Sequence, residues 1–117
     1  MRATQAITLV ASWRGGTGID VVSVTHNGQR MPLDELSMQV DREGARIDYE
    51  VPVALRHRVS VVFSFIGDSR TELELRCSVD GAAAGGALVM PRAEHRWEAR
   101  GAWTPGTSEP RARTNSG

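Results

Sequence analysis

From Arg58 to Gly81 apolar side chains recur at every second position: Val59, Val61, Phe63 and Phe65, then Leu73, Leu75, Cys77 and Val79. A period of two is that of a strand, whose successive side chains leave opposite faces. Glu72, Glu74, Arg76 and Ser78 alternate with the second group, as one buried and one wet face require. Gly67-Asp68-Ser69 separates the groups and predicts a turn, so the segment reads as a β-hairpin at the centre of the core.

The same alternation fills most of the chain. Gln5-Ile7-Leu9-Ala11-Trp13 forms one face of a first strand, ended by the glycine-rich run Arg14-Gly15-Gly16-Thr17-Gly18. Ile19 to His26 predicts a second strand closing at Asn27-Gly28, the strongest two-residue signal for a type I′ hairpin, with Gln29 to Met31 as a short return. Pro32-Leu33-Asp34-Glu35 suits a single helical turn. Leu36-Met38-Val40 and Ile47-Tyr49-Val51 make another hairpin around Arg42-Glu43-Gly44. Pro52 ends that strand or marks an edge, and residues 53–56 cross to the opposite sheet. Ala82 to Gly86 reads as a flexible small-residue loop after the Asp80-Gly81 turn. Ala87 to Met90 and Glu94 to Arg100 read as final strands around a Pro91-Arg92-Ala93 turn.

Eight or nine short strands with closely spaced turns predict an all-β fold, a two-sheet antiparallel β-sandwich of immunoglobulin-like or jelly-roll type. A small β-barrel is the alternative. Residues 1–103 form one domain, and 104–117, rich in turn formers and without apolar periodicity, read as a disordered tail or linker. The expected core is Ile7, Leu9, Val22, Val24, Leu36, Met38, Val40, Ile47, Tyr49, Val51, Val59, Val61, Phe63, Phe65, Leu73, Leu75, Val79 and Trp97.

Charge narrows the partners. Fourteen basic residues balance fourteen acidic ones in 117 residues, so no global field draws the chain to nucleic acid or membrane. Every basic residue is Arg and none is Lys, as GC-rich coding produces; the guanidinium also pairs carboxylates bidentately. The single cysteine, Cys77, forms no intrachain disulfide and reads as a buried hydrophobe. Polar residues interrupt the first ten positions and no segment approaches the roughly twenty apolar residues of a membrane helix, so the expectation is a soluble, cytoplasmic chain, with leaderless export left open.

Candidate chemistry is sparse. The Arg14 to Gly18 loop superficially resembles a phosphate cradle but lacks the Lys and the following helix. Asp48, Glu50, Glu72 and Glu74 alternate with apolar residues as a solvated sheet face does. His26, His57 and His95 sit at strand ends with inward parity, and three imidazoles suit Zn²⁺. A simple antiparallel meander gathers at most two of them at one end, so rim histidines are the expectation, with no metal or cofactor. Nor is a catalytic motif present, which argues against an enzyme, although a His and a carboxylate joined by the fold would reopen that reading.

The strongest functional signal is aromatic and basic. Trp13, Trp97 and Trp103 are half of the six aromatic residues. Arg92, Arg96 and Arg100 mix with Glu94 and Glu98 on the outward face of the last strands. The reading is a non-catalytic interaction or assembly module that binds a protein partner or a second copy of itself. Trp103, Arg100, Arg96 and Trp13 are the candidate contacts. The alternative is a carbohydrate or small-ligand binding domain that uses exposed Trp and Arg.

Overall fold

The computed structural model describes residues 3–104, and the side chains of residues 16, 17 and 67–71 are not among those described. The expected tail beyond Thr104 lies outside the described residues. The strands are β1 (Thr4–His26), β2 (Gln29–Met31), β3 (Ser37–Val40), β4 (Gly44–Pro52), β5 (His57–Val79), β6 (Ala82–Gly86), β7 (Leu88–Ala93) and β8 (Arg96–Trp103). A 3₁₀ turn at Leu33–Glu35 follows β2, where Pro32 predicts one. They form two antiparallel sheets of five strands that do not close into a barrel, an all-β sandwich. No helix among the described residues is long and apolar enough to cross a membrane.

Eight strands make ten sheet positions because β1 and β5, each 23 residues long, serve in both sheets. Their ladder runs from Ile7 opposite Val79 to His26 opposite Val59. The first half of β1 and the second half of β5 lie with β3, β4 and β6 in sheet one. The remaining halves lie with β2, β8 and β7 in sheet two. Register shifts between Arg14 and Gly16, Thr17 and Asp20, and Val21 and Ser23 mark the passage. Such bulges add a residue on one strand and bend it. Gly15 and Gly18 have φ of 89° and 59°, open to glycine and strained for other residues.

The hairpin predicted around Gly67-Asp68-Ser69 is therefore overturned, because β5 runs through these positions without turning. Its halves pair side by side with β1 rather than with each other, Val61 facing Val24 and Cys77 facing Leu9. Odd-numbered residues point inward on both sides of Gly67, as a continuous strand demands. Ala82 to Gly86, expected as a loop, is the edge strand β6 on Arg76 to Val79. Its small residues fit beneath Trp103, whose Nε1 would stand 3.3 Å from a Cβ at Gly85. The last turn falls at Glu94-His95, where His95 has φ 62°, and not at Pro91-Arg92-Ala93. Edge strand β7 accommodates Pro91 because its free side demands no ladder donor.

The two tight turns behave as their sequences predict. Asn27 and Gly28 have φ of 50° and 81°, and Asp80 and Gly81 have 51° and 84°, positive at both central positions as type I′ geometry requires. The crossing to the other sheet at 53–56 is also observed, from β4 in sheet one to the start of β5 in sheet two. Between the sheets lie Ile7, Leu9, Ile47, Val24, Val61, Phe63 and Leu75, all essentially fully buried. The bulge at Val21 to Ser23 shifts the inward phase, so Val21 is buried and Val22 half-buried. Val40, on edge strand β3, is 41% exposed rather than core, and Leu36, Met38, Leu73 and Trp97 are half-buried.

Candidate functional site

Two polar arrangements interrupt the alternation of apolar core and solvated surface. One is buried where β1 ends and β5 begins. Because these strands are direct neighbours, His26 and His57 meet there, whether or not β2 is counted in a meander. His26 Nε2 stands 2.8 Å from His57 Nδ1, His26 Nδ1 stands 2.8 Å from the Tyr49 hydroxyl, and His57 Nε2 stands 2.7 Å from Gln5 Oε1.

The proton positions follow from one anchor. The Ala54 N–H donates to Gln5 Oε1 at 3.2 Å, which identifies that atom as the carbonyl oxygen and hence an acceptor. His57 must donate to it from Nε2, leaving its Nδ1 to accept from His26 Nε2–H. The His26 Nδ1 then accepts from the Tyr49 hydroxyl. All four ring nitrogens are satisfied with both imidazoles neutral. Burial, reinforced by His57, pushes His26 down from 6.5 to about 4. Burial also lowers His57, against an opposing pull from Asp80. Tyr49 is pushed well up by its own burial. The chain of bonds is thus a neutral relay closed at both ends, which suits it to holding the sandwich together. The hydrogen bonds of the relay join Tyr49, the two rings and Gln5, and Asp80 acts on His57 through its charge. His95 lies apart in the β7–β8 turn, exposed, with its Nε2 3.6 Å from Glu94 Oε1. Among the described residues no group of three His, Cys, Asp or Glu could hold a metal.

The second arrangement covers the outer face of sheet two. Opposed residues in an antiparallel ladder share a face. Arg30, Thr25, Ser60, Arg100 and Leu88 oppose one another in succession, forming a row across all five strands. Arg58 lies two residues before Ser60, and Arg96 opposes Ser64, so both join that face. Arg92, two residues after Met90, which opposes Glu98, joins that face as well, its Nη1 reaching Glu98 Oε1 at 3.3 Å. Five guanidinium groups therefore stand on strands β2, β5, β7 and β8 of one surface, all exposed.

At their centre Glu98 is only 7% exposed. It accepts a short hydrogen bond from the Ser60 hydroxyl, pairs with Arg92, and lies 3.9 Å from Arg100 Nε. A buried carboxylate needs such partners. Glu98 thereby anchors Arg92. Asp20, opposite Ser64, is another acid at a strand position on this face. Leu88, 65% exposed beside Arg100, adds apolar area.

Of the four contacts expected from sequence, Arg96 and Arg100 belong to this surface; Trp13 and Trp103 are buried, at 7% and 6% exposure. Trp13 donates its indole N–H to the Arg42 carbonyl at 2.8 Å and meets Phe63 edge-on. Trp103 folds over Gly101, where a Cβ would stand 2.5 Å from its Cη2, and so caps the core. Trp97 is half-buried with its ring stacked on Phe65. Neither buried ring can serve as an exposed platform for a sugar or a partner. Arg30, Arg58 and Leu88 were not singled out from sequence. The even parity of Arg58 with Ser60 and Ser64 was the available signal, and for Arg30 it was the Asn27-Gly28 hairpin, which sets Arg30 opposite Thr25. No family model, curated protein or solved structure matches the chain.

Proposed function

We propose that the chain is a non-catalytic β-sandwich module that binds an acidic protein partner, a second copy of itself included, through the outer face of sheet two. The observation that carries this reading is the concentration of Arg30, Arg58, Arg92, Arg96 and Arg100 on one face of a chain whose formal net charge is zero. Protein interfaces are enriched in Arg, and their charged pairs fix register and raise encounter rates. Exposed Leu88 supplies apolar contact within the same row. Nucleic acid is the less suited ligand, because Trp13 and Trp103 are buried and offer no stacking ring.

The test compares wild type with Leu88→Asp/Arg96→Glu on this face and with Arg42→Glu in the β3–β4 turn. Each immobilised protein is exposed to extract of the source cells, and its mass is followed by light scattering as concentration rises. Wild type and Arg42→Glu should retain a common acidic protein, or grow in mass, and the double variant should do neither. Equal behaviour of all three proteins would overturn the reading. So would tighter binding of a single-stranded oligonucleotide than of any protein.

A further inference from the structure

We propose that the depression between Arg58 and Arg100 is an oxyanion site that seats a carboxylate of the partner's acidic segment. This rests on the reading of sheet two's outer face as the contact surface. The depression has a volume of about 410 Å³ and is bordered by Thr25, Gly28, Arg58, Ser60, Arg100 and Ala102. Thr25, Ser60 and Arg100 oppose one another on three adjacent strands, and Arg58 opposes Ala102. Arg58 and Arg100 are thus diagonal neighbours, a spacing of about 7–8 Å that long side chains easily span. The positions around them are small. Gly28 has no side chain and Ala102 has a methyl, so two guanidinium groups overlook a hollow instead of a packed surface.

Their charges are left largely uncompensated. Among the described residues the Arg58 guanidinium makes no ion pair. Arg100 approaches Glu98 only at 3.9 Å, and that carboxylate is already engaged by Ser60 and Arg92. Its other contact is Met90 Sδ at 4.0 Å. The root of Arg58 is held in place, since its N–H donates to Asn27 Oδ1 and its carbonyl accepts from the Asn27 N–H, both at 2.8 Å. With its backbone so anchored beside the hollow, Arg58 presents a planar guanidinium fork that fits a carboxylate with two parallel hydrogen bonds. The Thr25 hydroxyl offers a further donor, whereas the Ser60 hydroxyl is committed to Glu98. A carboxylate and a phosphate share this chemistry. The apolar Leu88 next to Arg100 favours an anion carried on a polypeptide.

The experiment is an amide-shift titration with a hexaglutamate peptide and, separately, with inorganic phosphate. It is run on wild type, Arg58→Gln and Arg100→Gln, and on Arg42→Gln as a control that leaves the hollow intact. The peptide should shift the amides of Thr25, Gly28, Ser60 and Ala102 in wild type and control. Its affinity should drop about tenfold in either hollow variant, the loss expected when one charge-assisted pair is removed. Inorganic phosphate should give no saturable shift. Peptide shifts that are absent from the hollow, or equal in all four proteins, would overturn the proposal. Saturation by phosphate as tight as by peptide would overturn the partner carboxylate as occupant. If the hollow stays silent while Leu88→Asp/Arg96→Glu still loses the partner, this proposal fails and the module reading stands.

Discussion

Acidification should weaken the sandwich at the His26–His57 pair before it touches the carboxylates. His26 is 4% exposed and both of its ring nitrogens are engaged as those of a neutral imidazole. Its folded value is pushed from 6.5 to about 4, whereas the unfolded chain keeps an ordinary histidine. The sign follows directly. Between those values the unfolded state binds the extra proton, so stability is complete above the unfolded value and falls as the pH drops toward the folded one. At about 1.4 kcal/mol for each pH step across the window, His26 alone withdraws about 3 kcal/mol. His57 is lowered as well and moves stability in the same direction, with Asp80 working against it. Tyr49 is pushed up, and Cys77 to about 12, so neither titrates in the window. A loss of that size is a large part of the roughly 5–15 kcal/mol that holds a domain together. Urea unfolding at a series of pH values between neutrality and about pH 4.5, above most of the carboxylate range, measures it. Wild type should lose stability steeply and His26→Gln/His57→Gln should be nearly flat. Equal stability of wild type across the series, or equal slopes in the two proteins, would refute the reasoning.

Other perturbations probe the packing. Phe63→Ala removes a ring with no exposure at the junction of β1, β5 and β8, and should cost roughly 3–5 kcal/mol in the same urea assay. Gly101→Ala would place a methyl 2.5 Å from Trp103 Cη2, so the indole must leave its seat. The variant should show a red-shifted tryptophan emission that acrylamide quenches more readily than in wild type. Cys77, 1% exposed with its thiol raised to about 12 by burial, should resist a thiol reagent at neutral pH until the chain unfolds. Prompt stoichiometric labelling of the native protein would contradict that burial.

Binary patterning in the sequence carried the class of fold, since Ile7, Leu9, Ile47, Val61, Phe63 and Leu75 alternate in the chain and are buried in the structure. The Asn27-Gly28 and Asp80-Gly81 turns were legible for a local reason: positive φ at two successive positions is something few residue pairs tolerate. The path through Gly67 was not, because glycine serves a bend within a long strand as well as a turn between two strands. The unbroken odd-numbered phase from Val59 to Val79 was compatible with either. Bulges hid the rest of the first strand, since the shift near Val21 to Ser23 moves the inward parity by one. The polar relay depends on β1 lying directly beside β5, a long-range pairing that alternation does not encode. The arginine face was half legible. Arg92, Arg96 and Arg100 stand close in sequence and Arg30 follows from the Asn27-Gly28 hairpin, whereas their meeting with Arg58 on one surface depends on β1, β5 and β8 lying side by side.

Both the histidine relay and the arginine face depend on β1 and β5 running side by side through the two sheets. Cross-strand Hα contacts in a nuclear Overhauser spectrum of the intact chain test that pairing most directly. The account predicts that the β1–β5 ladder appears in both sheets, with contacts linking the Leu9 region to Cys77 and the Val24 region to Val61. Backbone contacts joining 59–65 to 73–79 as paired strands of one hairpin would contradict it.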